Sequence, residues 1–347
     1  MKTKMKKLSS VLISLILVVT MSATSVLSVN AAATSSTARI YSDYTKSPAY
    51  KNFSQFKWLV KKDNSSIIPG LKNTNVNGKN CSTMVPQGIT AAKDYMFIAA
   101  YDSSGKYNSV IYVLSNTNPK KRKLLTTLVL PNSPHAGGMG FDGSYVWITN
   151  GSKVSSFKYS KLDSTIKTAV SKKKQSVSVQ YYSTIKVDTT ASYMTCYDKT
   201  IYVGKFNKKG NGDAKVYAYS YSSDRKTLKK KFYFTVPDRT QGLCFKDGYM
   251  ILSRSWNTTT TASDYVSQLR VYKPSLSKPV NGVVKKNSLL KTITMPPMVE
   301  GLTTYGSYMY SGFESAADKY YNGTGSMKAC KYPTDRVIAY KFSDIIA

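Results

Sequence analysis

Five segments of the chain share one internal grammar, and that repetition limits the fold more than any other feature. Four align without gaps: QGITAAKDYMFIAAYD from Gln87, GGMGFDGSYVWITNG from Gly137, QGLCFKDGYMILSRSW from Gln241 and EGLTTYGSYMYSGFES from Glu300. A fifth, SYMTCYDKTIYVGKFN from Ser192, falls between them. Their second residues are Gly88, Gly138, Tyr193, Gly242 and Gly301, spaced by 50, 55, 49 and 59 residues. Each unit opens with a short apolar strand and turns tightly, at Asp142-Gly143 and Asp247-Gly248 with the pair that tolerates positive φ in a hairpin. A second strand follows, such as MFIAA or VWIT, then a third such as VIYVLS or RVIAYKF. A basic turn leads to a fourth strand such as LLTTLVLP or KKFYFTVP. Four antiparallel strands repeating at this interval describe a propeller blade. The fold class predicted is all-β, a β-propeller of five four-stranded blades, with six blades as the alternative if residues 38–80 add part of another. No helical periodicity is read beyond the N-terminal segment.

Closing such a ring needs a strand that the fifth repeat lacks. The FKWLV segment at Phe56–Val60 is the candidate, paired N-terminus to C-terminus so that no sheet edge stays open. The division predicted is a signal peptide over 1–33, an N-terminal segment over 34–80 that supplies the closing strand, and the propeller over 81–347. The signal peptide is read from MKTKMKK, the apolar run VLISLILVVT and the small residues of VNAAA. No later run is long and apolar enough to span a bilayer. The chain is therefore expected to be secreted. The four cysteines would then be free to oxidise, and ring closure suggests a Cys81–Cys330 bridge, with Cys196 and Cys244 as buried thiols.

The TQGL at Thr240–Leu243 and the PQGI at Pro86–Ile89 resemble the blade-opening motif of plant-type glutaminyl cyclotransferases, which are five-bladed propellers. The resemblance covers a few residues per blade, and that family's other channel residues are not matched in a recognisable pattern.

In a propeller the starts of the innermost strands and the ends of the second strands meet at one mouth of the central channel. The alignment brings there Gln87, Gly137, Ser192, Gln241 and Glu300 from the first set, and Ala100, Asn150, Lys205, Arg254 and Phe313 from the second, with Tyr101, Glu314, Asp102 and Trp256 beside them. The ligand-binding candidates are Gln87, Tyr101, Asn150, Lys205, Gln241, Arg254 and Trp256. Lys205 and Arg254 together suit an anionic group. The catalytic candidates are Glu300, Glu314, Asp102 and His135. Paired carboxylates suit proton transfer or Ca2+ ligation, and the bland alternative ties Glu300 and Glu314 to Arg254, Arg239 or Arg336. His135 is the only histidine and no CxxC occurs, so a zinc site is not expected. Two long loops, after Trp256 and after Glu314, are expected to overhang the mouth.

The formal charge is +32, and removing residues 1–33 leaves +28. That exceeds what solubility asks and points to an anionic cell-wall polymer or glycan as partner. The runs Lys120–Lys123, Lys172–Lys174 and Lys229–Lys231 fall between third and fourth strands or close to them, on the opposite rim. They lack the aromatic interleaving of a nucleic-acid groove, so no specific nucleic-acid recognition is expected. Three functions stay open: a binding propeller that takes a small polar ligand at its mouth and is retained electrostatically at the cell envelope; an extracellular hydrolase, lyase or cyclotransferase with a carboxylate and Arg site at the same mouth; and a purely structural or adhesive protein.

Overall fold

The repeats become five antiparallel sheets whose innermost strands form a closed cycle. The structure, a computed structural model, describes residues 40–208, 210–257, 265–273, 289–324 and 327–347; the expected signal peptide and the tip of the loop after Trp256 lie outside them. Met84–Ala92 touches Met139–Phe141, which touches Tyr193–Tyr197; Thr240–Lys246 and Val299–Tyr305 follow, and the last returns to Met84–Ala92. From each the chain steps outward. In the fourth blade Thr240–Lys246 pairs with Tyr249–Trp256, that with Val266–Tyr272, and that with Leu289–Met295. Each blade junction buries its own apolar cluster. Phe97 and Ile111 of the first blade meet Val146 and Ile148 of the second, and Cys244 and Leu269 of the fourth meet Leu302 and Met309 of the fifth. The chain is a five-bladed β-propeller.

The glycine that recurs at the second position of the repeat is a packing requirement between blades. A Cβ on Gly138 would sit 2.2 Å from the Met194 nitrogen of the next blade, and one on Gly301 would sit 2.9 Å from the Gln87 carbonyl oxygen. Backbone approaches backbone there as only glycine allows. In the third blade Tyr193 takes the position, and its ring lies where a side chain on Gly204 would stand.

Three expectations need correction. The closing strand of the fifth blade is Ser66–Ile67, paired with Arg336 and Val337. The FKWLV segment instead lies mostly in a helix, Ser54–Leu59, and contributes a single bridge from Val60 to Tyr340. Phe56 is buried against Phe313 and Tyr340, so its apolar pattern reflects core packing and not a ladder. Second, a helix does exist, at Tyr159–Ser171 in the second blade, with Tyr159, Leu162, Ile166 and Ala169 buried at helical spacing. After it, Ser176–Ser178 crosses back to add a parallel fifth strand to the first blade. Third, Cys81 and Cys330 are free, as are the other two cysteines; Cys81 packs with Met84 and Cys330 with Met298 and Tyr320, in separate apolar clusters.

Arg122 completes the closure. Its guanidinium donates to the Asn64 carbonyl at 2.6 Å and to the Tyr310 hydroxyl at 2.9 Å, tying the first blade to the N-terminal segment and the fifth blade. One member of the Lys120–Lys123 basic run is therefore structural, while its three lysines stay exposed.

Candidate functional site

A β-bulge interrupts the innermost strand at the opening of three blades. The register shifts between Pro86 and Ile89, between Thr240 and Gly242, and between Val299 and Leu302. A bulge re-aims the residues it contains, and these three contain Gln87, Gln241 and Glu300. All three line one cavity of about 670 Å³. Ser192, the start of the third blade, joins them, as do Ser255, Trp256 and Glu314 from the ends of second strands. The structure thus brings these anchors and strand ends together in the lining of one cavity.

The backbone ahead of Gln241 and of Glu300 is in the left-handed region. Arg239 has φ 63° and Met298 φ 64°. Each is clamped: Arg239 donates its N–H to the Asn207 carbonyl and accepts from the Ser255 N–H, and the Met298 N–H donates to the Ser267 hydroxyl. Such backbone costs of order 1–3 kcal/mol per residue and tends to gather at functional sites.

Two carboxyl groups meet at the cavity floor. Glu300 and Glu314 are both buried and hydrogen-bond each other, Glu300 acting as donor. The Gln241 amide donates to Glu300 at 3.0 Å, and the Gln87 amide donates to Glu314 at 2.7 Å. The Tyr320 hydroxyl also donates to Glu314. Loss of hydration pushes Glu314 up to about 7, and the same cause together with the charge of Glu314 pushes Glu300 well above the carboxylate range. Two carboxyls this close hold one proton between them over a wide pH range.

The surroundings are aromatic. Tyr265, Tyr320, Phe206 and Trp256 line the walls. Tyr101 stands beside them, its ring 4.3 Å from that of His135 and its hydroxyl hydrogen-bonded to that of Tyr320. Tyr320 lies in the short helix Asp318–Tyr321, so the loop after Glu314 does overhang the mouth.

Several sequence candidates lie elsewhere. Asp102 faces its own turn, accepting from the hydroxyls of Thr83 and Ser104 and the N–H groups of Ser104, Lys106 and Tyr107. These donors outweigh its burial and lower it to about 2; it is a loop brace. Arg254 is buried beneath the cavity wall and donates to the carbonyl and carboxylate of Asp238. Lys205 is exposed outside the cavity, so the expected Lys205–Arg254 clamp does not form; Lys208 and Arg239 are the cations that line it. Asn150 bonds Asn132 and Ser155 and lines an adjoining cavity of about 510 Å³, which His135 and Ser192 share with the main one. Among the described residues the glutamates do not pair with arginine: Arg254 and Arg239 take Asp238, and Arg336 takes Asp335. Tyr265 comes from the loop after Trp256 that was expected at the mouth, whereas Lys208 carried no sequence signal, because it sits in a loop beyond the repeated strands. Among the described residues no group of three or more His, Cys, Asp or Glu is placed to hold a metal ion.

No protein-family profile matches the chain, and no curated protein matches it. Among solved structures, the glutaminyl cyclase of Myxococcus xanthus is similar over 79% of this chain and 94% of its own, at 10% identity and a TM-score of 0.44. A chain of a nidogen–laminin complex is similar over 67% and 73%, at 10% identity and a TM-score of 0.35.

Proposed function

We propose that the chain is an extracellular acid–base enzyme acting on an acyl centre at the channel mouth. The observation that carries this is the Glu300–Glu314 pair, hydrogen-bonded and buried in the lining of an open cavity, with no ion pair to an arginine or lysine among the described contacts and Lys319 acting on Glu314 only through its field. A binding propeller gains nothing from two carboxyls that resist ionisation, whereas a shared proton lets one pair serve as base and acid in the same turnover. Glu314, in its ionised form, takes the proton of an attacking water or amine; Glu300 gives its proton to the leaving group. Glycoside cleavage fits poorly, because its two carboxyls stand roughly 5–9.5 Å apart with the sugar between them. Hydrolysis or cyclisation of an amide or ester is what a shared-proton pair suits.

The N-terminal sequence supports export, and the lysine excess supports retention by an anionic envelope polymer. The mouth and the lysine-rich rim then divide the work: one reacts, the other holds the protein where its substrate is. The test is product detection by mass spectrometry from a panel of amide- and ester-linked peptides and wall fragments. Glu300→Gln and Glu314→Gln should each lose roughly 10²–10⁴-fold in rate while remaining folded. Folded variants that turn over at the parent rate would sink the reading.

A further inference from the structure

Blade four crowds cations against the cavity wall. Arg239 and Arg254 both donate to one oxygen of Asp238, at 3.0 and 2.8 Å, and the charges of Arg239 and Arg270 bear on Arg254. Among the described contacts Asp238 is the carboxylate these groups meet, so positive charge is in excess there. Trp256 packs against that cluster and lines the cavity. The Arg239 guanidinium lies 4.2 Å from its ring centroid and that of Arg254 5.1 Å. Arg239 lines the cavity with Trp256 and Lys208. Its Nε is spent on Asp238, and among the described residues its terminal amino groups take no protein acceptor. A guanidinium stacked on an indole keeps its plane fixed and presents those two donors side by side, the geometry that carboxylate and phosphate oxygens match. The strained backbone of Arg239 is the cost of aiming it there.

We propose that Arg239 and Lys208 form an anion subsite, and that the substrate carries a carboxylate or phosphate that docks on them while its acyl centre lies over Glu300 and Glu314. This deepens the acid–base reading and rests on it for the position of the reacting group. The charge count agrees. Two cations line the cavity, and the carboxyl pair holds one negative charge once Glu314 has ionised. Lys319 adds a further positive field on Glu314. A neutral or cationic substrate would leave that excess unmatched.

The test is calorimetric titration of the full chain carrying Glu300→Gln, at physiological ionic strength, with glutarate, inorganic phosphate and the neutral glutaramide. One site for at least one of the two anions is expected, with glutaramide at least tenfold weaker; the tighter anion identifies the docked group. Arg239→Gln should weaken that site at least tenfold, and Arg239→Lys less. Because Arg239 also holds Asp238, Lys208→Gln is the second variant: its side chain is exposed, so it leaves the fold intact, and it should weaken binding several-fold. The triple change of Lys172, Lys173 and Lys174 to Gln should leave the site unchanged. Equal affinity for glutaramide, no binding of either anion, no effect of Lys208→Gln, or loss of binding in the rim triple each overturns the subsite. Failure of the carboxyl reading shows separately, as retained turnover in Glu300→Gln.

Discussion

At Glu300 and Glu314 the chain keeps two carboxyls protonated more tightly than they would be when unfolded, and this fixes the sign of two pH effects. Both groups titrate above the ordinary carboxylate range in the folded state, Glu314 near 7. The folded chain therefore binds more protons than the unfolded one between about pH 4 and the folded values, and stability falls as pH rises through that window. The contribution is complete below the unfolded pKa of about 4 and lost above the folded one. Glu300→Gln keeps the hydrogen-bonding shape without the ionisation. It should raise the melting temperature at pH 8 by several degrees and leave it nearly unchanged at pH 4.5, read by scanning calorimetry. A parallel fall of parent and variant across that range would mean that other groups set the slope. Activity should move oppositely at first. The singly protonated pair forms as Glu314 ionises, so kcat/KM should rise through about pH 7 and decline only where Glu300 loses its proton. Glu314→Gln should abolish the rise. A rate that is flat from pH 5 to 9 would remove the shared proton from the mechanism.

Innermost strands do two jobs, packing blade against blade through a glycine and aiming a polar side chain into the channel through a bulge. The first job is testable without a substrate. Gly138→Ala forces a Cβ to within 2.2 Å of a backbone nitrogen of the third blade, where no flexible side chain can yield. Overpacking of this kind costs about 1–3 kcal/mol and sometimes more. Gly151→Ala is the control, since its Cβ meets nothing within 4 Å and pays only for a φ of 65°. Gly138→Ala should shift the urea midpoint clearly further than the control; equal shifts would show that the blades slide apart freely. The same two jobs explain what could be read from the sequence. Glycine spacing and anchor chemistry recur, so blade number, strand order and the positions of Gln87, Gln241, Glu300 and Glu314 at one mouth were legible. Side-chain direction within a strand end does not recur, so Arg254 and Asp102 were placed at the mouth when each is turned to a local partner. The helix at Tyr159–Ser171 and the closing strand at Ser66–Ile67 occur once each, and a search for repetition passes over both. Arg239 entered the sequence reading as a structural partner for the glutamates; its place at the cavity depends on a left-handed residue that sequence does not announce.

The whole ring depends on a latch made by residues distant in the chain. Tyr41 donates its N–H to Asp335 at 2.7 Å and accepts from Arg336, Ser66–Ile67 covers the outer edge of Arg336–Lys341, and Phe56 fills the core beneath. Without that cover the last blade presents an open ladder edge. A chain beginning at Ile68 should therefore aggregate or unfold well below the parent temperature, and Arg122→Ala should reproduce part of the loss, checked by light scattering on heating. A second property of the whole molecule is its charge. Lys120, Lys121, Lys123, Lys172–Lys174 and Lys229–Lys231 are exposed, and none of them lines the cavity that holds Glu300 and Glu314. Taken as exported, the chain carries +28. Exposed charges act over about 8 Å at physiological ionic strength and about 3 Å at 1 M. Retention on an anionic wall polymer should thus be strong at low salt and nearly gone by 1 M, while the anion subsite at Arg239, partly desolvated and stacked on Trp256, should respond less. Changing Lys172, Lys173 and Lys174 to Gln should lower the salt needed for half elution from isolated anionic wall without changing turnover of a small soluble substrate. Retention that ignores salt, or a triple variant that loses turnover and retention together, would show that the rim and the mouth are one binding surface and not two.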